Sequence, residues 1–328
     1  MIEKVKNKKI LITGGLGMIG STLTHKLINL GAIVTLVDPL IQPFGGNLFN
    51  IKGVDKLVKV NISDIRDKES IKILVQDKDI VFNLAGQVSH NDSLKDPYLD
   101  ADINYIGHLN VLEAIKNHNP TAKVLYSGSR LQFGKILNNP VSEDHPLKPL
   151  TPYALNKTAA ENLYLYYHRV FGIPVVIFRI ANPYGPRCQM KHSKYAIINW
   201  FIRNAMENKE IVIFGDGEQI RDYIYVEDLA DAFILASVND KISGDVFNVG
   251  SGIGTEFKDM VERILDRVGK GTIKHVPWPS NYLNVETGDY ITDINKIKQI
   301  LKWKPKVDLE EGINKTYDYY KKFKKYYW

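Results

Sequence analysis

KKILITGGLGMIGSTLTHKL, residues 8–27, is the stretch whose reading decides the fold. The apolar run Ile10 to Ile12 reads as a buried strand, glycines crowd the positions after it, and an amphipathic pattern then predicts a helix from about Met18 to Leu30. Strand, glycine turn and helix in that order aim backbone N–H groups at a helix N-terminus, where the dipole favours negative charge. Glycine there permits the tight turn and lets the backbone come close to a pyrophosphate. Gly14, Gly17, Met18, Ile19 and Gly20 are the expected dinucleotide cradle.

The next strand, AIVTLVD, ends in Asp38, 18 residues beyond Gly20. That is near the spacing of the acid that binds an adenosine ribose. A carboxylate at this place favours NAD, because a 2′-phosphate would meet like charge and no arginine stands beside it. Asp64 and Ile65 are candidates for the adenine edge, although Asp64 serves equally well as a cap for the following helix. Leu84, Ala85 and Gly86 close the strand KDIVFNLAG and bring backbone close to the cofactor.

Outward from this stretch, short β-rich runs (AKVLYSGS and PVVIFRI among them) alternate with helical patterns. Helices are predicted at roughly 68–75, 102–116, 152–171 and 196–208. The alternation implies an α/β architecture, a Rossmann-type doubly wound parallel sheet with helices on both faces. After about Pro183 the rhythm loosens around EIVIFG, DVFNVG and TIKHVPW. The expected organisation is an NAD-binding domain over 1–182, with part of 220–250 returning to it, and a smaller substrate-binding lobe over 183–328.

Composition excludes several classes. The apolar share of 44% can bury a full core, and one cysteine, Cys188, cannot make an intrachain disulfide. No run approaches the roughly 20 apolar residues of a membrane span, and the start MIEKVKNKK lacks a signal-peptide core. A cytoplasmic protein is expected. The net charge of +6 is spread along the chain without an aromatic-basic motif, so no nucleic-acid partner is expected. KKFKKYYW at the C-terminus reads as a solvated helix end.

Tyr153 and Lys157 stand four apart at the start of the predicted helix over 152–171 and so share a face. A phenol beside an ammonium is biased toward its phenolate, which makes it a proton acceptor at neutral pH. The strand through Lys123 to Ser127 delivers Ser129 to the same sheet edge as the dinucleotide.

These residues sit in a series of motifs: TGGLGMIG (13–20), NLAGQVS (83–89), YSGSRLQFG (126–134), YALNK (153–157), RIANPYGPR (179–187) and GDGEQIRDYIYVEDLA (215–230). Their order resembles the extended short-chain dehydrogenase/reductases, in particular UDP-glucose 4-epimerase-like nucleotide-sugar epimerases and dehydratases, over nearly the whole chain. The resemblance implies that Tyr153 is the acid/base, that Lys157 binds the nicotinamide ribose and depresses the tyrosine pKa, and that Ser129 holds the reacting hydroxyl. It implies further that Asn104 supports the lysine and that Ser89, Arg130, Asn182, Arg187 and Arg221 face the sugar nucleotide. A cytoplasmic homodimer serving polysaccharide biosynthesis is implied too, with the 102–116 and 152–171 helices as its interface. No metal is expected.

Relatives that eliminate water keep an Asp-Glu pair after the Ser/Thr position, and decarboxylating ones usually keep a glutamate; this chain has Arg130-Leu131. The reading that asks least is C4 inversion of a UDP-hexose through a 4-keto intermediate. The alternatives are an NAD(P)-dependent reductase of a keto-sugar nucleotide and a C2 epimerase of a CDP- or GDP-linked sugar. Arg130 stands ready for a charged group on the sugar, or as an exposed loop arginine. One departure concerns the phosphates: where many such epimerases carry an arginine before the late Gly-Asp, this chain has Glu286, which leaves the nucleotide open among UDP, GDP, CDP and dTDP.

Overall fold

Val, Ile and Leu dominate the runs that become strands: β1 (Lys9–Thr13), β2 (Ile33–Val37), β3 (Lys59–Asn61), β4 (Ile80–Asn83), β5 (Lys123–Ser129), β6 (Val175–Ile180), β7 (Asn182–Tyr184), β8 (Glu210–Phe214), β9 (Ile220–Tyr225), β10 (Val246–Val249), β11 (Gly254–Glu256) and β12 (Thr272–Val276). The computed structural model describes residues 2–41 and 45–328. Seven strands form one sheet in the order β3-β2-β1-β4-β5-β6-β10, every neighbouring pair parallel. Chain order reverses between β1 and β4, so a crevice opens beyond their C-terminal ends.

Because both faces of a parallel sheet must be covered, its strands are apolar throughout. On one face α1 (Met18–Asn29) packs with Leu23 and Leu27 against a cluster that includes Phe178, Phe233 and Phe247. On the other, Val111, Leu112, Tyr126 and Tyr164 share a second cluster. The helices of the second face follow in chain order: α2 (Lys68–Leu74), α3 (His90–Lys95), α4 (Pro97–Ala101), α5 (Gly107–His118) and α6 (Pro152–Phe171).

Beyond β6 the chain builds a smaller core from α7 (Ile197–Met206) and α9 (Phe257–Val268) together with two small sheets, while α8 (Val226–Ser237) packs on the core of the large sheet. One pairs β8 with β12 in parallel; the other runs β11-β9-β7. Ile202, Ile213, Met260 and Ile264 fill the space between. β10 lies beside β6 in the large sheet, and α8 contributes Phe233 to the first cluster. On this topology we propose the division into 1–182, with part of 220–250 joined to it, and 183–328.

One boundary and one cap are settled by the structure. The helix expected to start at Asp102 starts five residues earlier, because Asp96 accepts the Leu99 N–H as an N-cap and Pro97 occupies the first helical position. It continues through a π-turn, Asp102–Ile106, into α5. The cap of α2 is Asp67, which accepts from the Glu69 and Ser70 N–H groups, and Asp64 is not a cap.

Candidate active site

The glycine turn is built by backbone contact. Gly14 has φ +66°, a left-handed conformation, and a Cβ there would sit 3.0 Å from the Ala85 nitrogen. At Gly20 the added atom would drive into the Gly14 carbonyl oxygen. Helix α1 has Gly17 as its N-cap with no side-chain cap and no acid in its first turn, so its first N–H groups are open to an anion. Thr13 ties the neighbouring strand ends together: its hydroxyl donates to Asn83 Oδ1 at 2.5 Å and accepts from the Leu84 and Ala85 N–H groups at 3.1 Å each. Sequence reading passed over Thr13, although its place at the end of β1 was the available signal.

Asp38 is held where a ribose hydroxyl would meet it. Its Oδ2 accepts from the Leu16 N–H at 3.1 Å and its Oδ1 from the Leu40 N–H at 3.0 Å. Burial raises its pKa while these N–H groups pull it down. Asp64 lines the same cavity but is bound by Arg66 through Nε at 3.0 Å and Nη2 at 2.8 Å. Ile65, Leu84, Ala85 and Gly86 also line it.

The cavity, of about 780 Å³, runs from this turn past Ser129, Tyr153 and Lys157 to Arg221 and Glu286 in the smaller lobe. Helix α6 begins cleanly because Thr151 caps it through the Ala154 N–H and Pro152 takes the first position. Its second residue is Tyr153, whose backbone N–H donates to Ser93 Oγ at 3.1 Å. Burial, with the charge of Asp100, pushes the Tyr153 phenol up to about 12; the nearby Ser129 hydroxyl and the charge of Arg130 pull the other way. Lys157 Nζ donates to the Ser127 carbonyl at 3.1 Å and lies 6.0 Å from the centre of the Tyr153 ring. Burial lowers Lys157 to about 8, and Asp100 opposes that shift. Ser129 and Arg130 both favour the charged form of the tyrosine.

Ser129 is braced from behind. Gln132 Oε1 accepts the Ser129 N–H at 2.7 Å, and the same amide donates to Glu161 Oε2 at 2.7 Å. Glu161 in turn holds Arg179 through a buried pair, at 2.6 Å and 3.0 Å. A fully desolvated pair is costly to break because one charge is left uncompensated. β5, β6 and α6 are thereby joined at the serine.

Asn104 is buried; its Nδ2 donates to the Gln87 carbonyl at 3.0 Å and to Asp100 Oδ2 at 3.1 Å. Its Oδ1 is buried without a partner, next to Gly86, where a Cβ would lie 2.8 Å from that oxygen and 3.1 Å from Lys157 Nζ. A π-turn at such a place is a frequent companion of function. An unpaired acceptor, an open helix N-terminus and a glycine cradle that any Cβ would fill all fit a bound dinucleotide. Asp100 also accepts from Asn156 Nδ2 at 2.8 Å, which makes it the buried carboxylate nearest in effect to Lys157. Sequence reading missed it.

At the far end Arg221 and Asn182 line the cavity, but both are partly engaged by protein. Arg221 Nη2 meets Glu286 Oε1 at 2.6 Å, and the Asn182 amide donates to the Asp222 carbonyl at 2.7 Å and accepts from Arg130 Nε at 3.1 Å. Arg130 is not an exposed loop arginine; it is a wall of the cavity. Two expected substrate contacts lie elsewhere. Ser89 is buried as the N-cap of α3, accepting from the Asp92 N–H, since the cap position fixes where its hydroxyl points. Arg187, at φ +68°, reaches back to Thr22 Oγ1 at 3.1 Å on α1. His90, next to Ser89, does line the cavity; burial and Arg130 lower it to about 4.

Residues 10–250 match the NAD dependent epimerase/dehydratase family, and the chain belongs to it. A putative UDP-glucose 4-epimerase of Methanocaldococcus jannaschii is 35% identical over 95% of this chain and 98% of its own. A UDP-N-acetyl-alpha-D-glucosaminuronate decarboxylase of Bacillus cytotoxicus is 32% identical over 96% and 98%. The solved Thermus thermophilus UDP-glucose 4-epimerase complex with NAD superposes with a TM-score of 0.86 at 27% identity, over 96% of this chain and 99% of that one. NAD is accordingly this chain's cofactor. Gly14, Gly17, Met18, Ile19, Gly20, Asp38 and Lys157 line the cavity that would receive it, and Asn104 lies buried behind Gly86 and Lys157.

Proposed function

We propose that this chain is a nucleotide-sugar 4-epimerase acting on a UDP-linked hexose. The observation that carries the reading is that Tyr153, Ser129 and Lys157 line one cavity whose wall continues after the serine as Arg130-Leu131, with no carboxylate at those two positions. Among the described residues, the lining carboxylates are Asp38 and Asp64 at the nucleotide end, Glu210, and Glu286 against Arg221. Elimination and decarboxylation need a further acid or base near the keto intermediate, and Arg130-Leu131 stands where relatives keep it. Tyr153 takes the C4 hydroxyl proton while Ser129 fixes that hydroxyl; the bound cofactor supplies hydride acceptance and return. A sugar that turns over before the return emerges inverted, and Tyr153 gives the proton back. UDP is favoured by the names of the relatives.

The outward stripe of α6, with Leu155 58%, Tyr166 42% and Val170 52% exposed, supports a homodimer through this helix. A cytoplasmic place in polysaccharide biosynthesis goes with the reading. The test is incubation with UDP-, GDP-, CDP- and dTDP-sugars in deuterated water, followed by NMR. Inversion at C4 without solvent deuterium and without net NADH consumption is the expected result. Deuterium at C3 or C5 overturns it, inversion at C2 favours the C2 epimerase, and stoichiometric NAD(P)H consumption favours the reductase.

A further inference from the structure

The walls of the cavity divide their positive charge unevenly. Arg221, at the end where the diphosphate would lie, is closed by Glu286 at 2.6 Å, and the same carboxylate oxygen accepts the Gly288 N–H at 3.0 Å. Arg130 is the reverse case. Its Nε donates to Asn182 Oδ1 and its Nη1 to Thr287 Oγ1, each at 3.1 Å, and its guanidinium lies 5.3 Å from the centre of the Tyr290 ring. All three partners are neutral. Among the described residues no carboxylate stands within ion-pair distance of it, and its Nη2 has no hydrogen bond.

The pose is set by residues that cannot easily turn. Asn182 donates its amide to the Asp222 carbonyl, which obliges its oxygen to face Arg130. Tyr290, under the guanidinium, is fully buried. His90 is held neutral by burial and by Arg130 itself, so it adds neither compensation nor competition at neutral pH. Arg130 follows Ser129 directly, and its charge is felt at Tyr153. It therefore stands on the Ser129 side of the cavity, between that serine and the Arg221–Glu286 pair, whose neighbour Thr287 it also reaches. A half-buried guanidinium in the cavity wall, with two donors used on neutral groups and an edge left over, suits a planar anion such as a carboxylate.

We propose that Arg130 recognises a carboxylate carried by the hexose itself, so that the substrate is a nucleotide-linked acidic sugar. This rests on the sugar-nucleotide reading of the cavity but not on the stereochemistry of the reaction. The carboxylate has two chemical sources, the C6 acid of a uronic sugar and a carboxyalkyl ether on the ring. Both present the same fork of oxygens to Arg130.

Binding to the NAD-loaded protein, measured by calorimetry, separates this from turnover. The probes are UDP-glucuronate and UDP-galacturonate for the first source, UDP-N-acetylmuramate for the second, and UDP-glucose and UDP-N-acetylglucosamine as neutral counterparts. At least one acidic probe is expected to bind about tenfold or more tightly than its neutral counterpart, as a charge-assisted pair would give; which one identifies the source. Arg130→Met is expected to erase most of that ratio and Arg130→Lys to keep part of it. Equal binding of acidic and neutral probes overturns the proposal. So does a loss in Arg130→Met that is the same for both, since that places Arg130 on the shared diphosphate. If Arg130→Met does not fold, the wild-type ratio alone decides. Preferential binding of an acidic probe with no C4 inversion would sink the epimerase reading and leave this one standing.

Discussion

The two ends of the cavity are made in different ways. The nucleotide end is a loop of backbone: Gly14 and Gly20 in mutual contact, an uncapped helix start, and one carboxylate, Asp38, held by two N–H groups. The sugar end is a lattice of side chains drawn from β5, β6, β9, α6 and the segment near Glu286, each fixed by another: Arg179 by Glu161, Glu161 by Gln132, Gln132 by Ser129. A site of the first kind tolerates variation everywhere except where a Cβ would intrude. A site of the second kind changes its chemistry whenever one member changes. The first is suited to a constant ligand and the second to a variable one.

The largest expected effect comes from removing the hydroxyl on which the sugar end acts. Tyr153→Phe is expected to lower kcat by about three orders of magnitude, while NAD binding, followed by fluorescence titration, stays near the wild-type value. Loss of cofactor along with activity would show that the ends are not separable. Gly20→Ala tests the other end. Its added methyl meets the Gly14 carbonyl, and the expected outcome is a destabilisation of about 1–3 kcal/mol in urea unfolding together with lost NAD retention.

Asp100→Asn probes the join between them. The carboxylate raises Lys157 against the lowering due to burial, so without it the Lys157 pKa falls further below about 8. The fraction of charged lysine at neutral pH then drops, and the alkaline limb of the kcat/KM profile that depends on it is expected to move to lower pH. A limb that does not move would mean that Asp100 only packs. The smallest effect is expected from Glu286→Gln, which frees Arg221 for a phosphate and should lower KM for the sugar nucleotide about threefold, with kcat unchanged. A raised KM would show that Glu286 itself contacts substrate.

The same contrast explains what the sequence made legible. The nucleotide end depends on consecutive residues, and strand, glycines, helix and Asp38 all lie where the local pattern puts them. Helix α6 was readable to its ends because Thr151, Pro152 and Gly172 punctuate it, the last in a left-handed cap at φ 71°. At the sugar end, Tyr153, Lys157 and Ser129 were found through motif spacing, but their supports were not. Asp100 and Glu161 are buried charges on helices, where periodicity alone marks a polar residue as solvent-facing. Arg187 and Ser89 carry suitable groups, yet a positive φ and a cap position turn them elsewhere. Spacing along the chain says which residues are near; it does not say which way each is held.

Helix α6 has a last consequence, for length rather than composition. Tyr153, Lys157, Glu161 and Tyr164 face inward at steps of four and three, while Leu155, Tyr166 and Val170 face outward. One inserted residue between Lys157 and Glu161 would rotate everything after it by about 100°, swinging Glu161 away from Arg179 and burying part of the outer stripe. The helix is locked in phase at every turn. An insertion is better absorbed in a loop such as 135–149, and the spacing from Tyr153 to Tyr164 is a ruler that the fold cannot restretch.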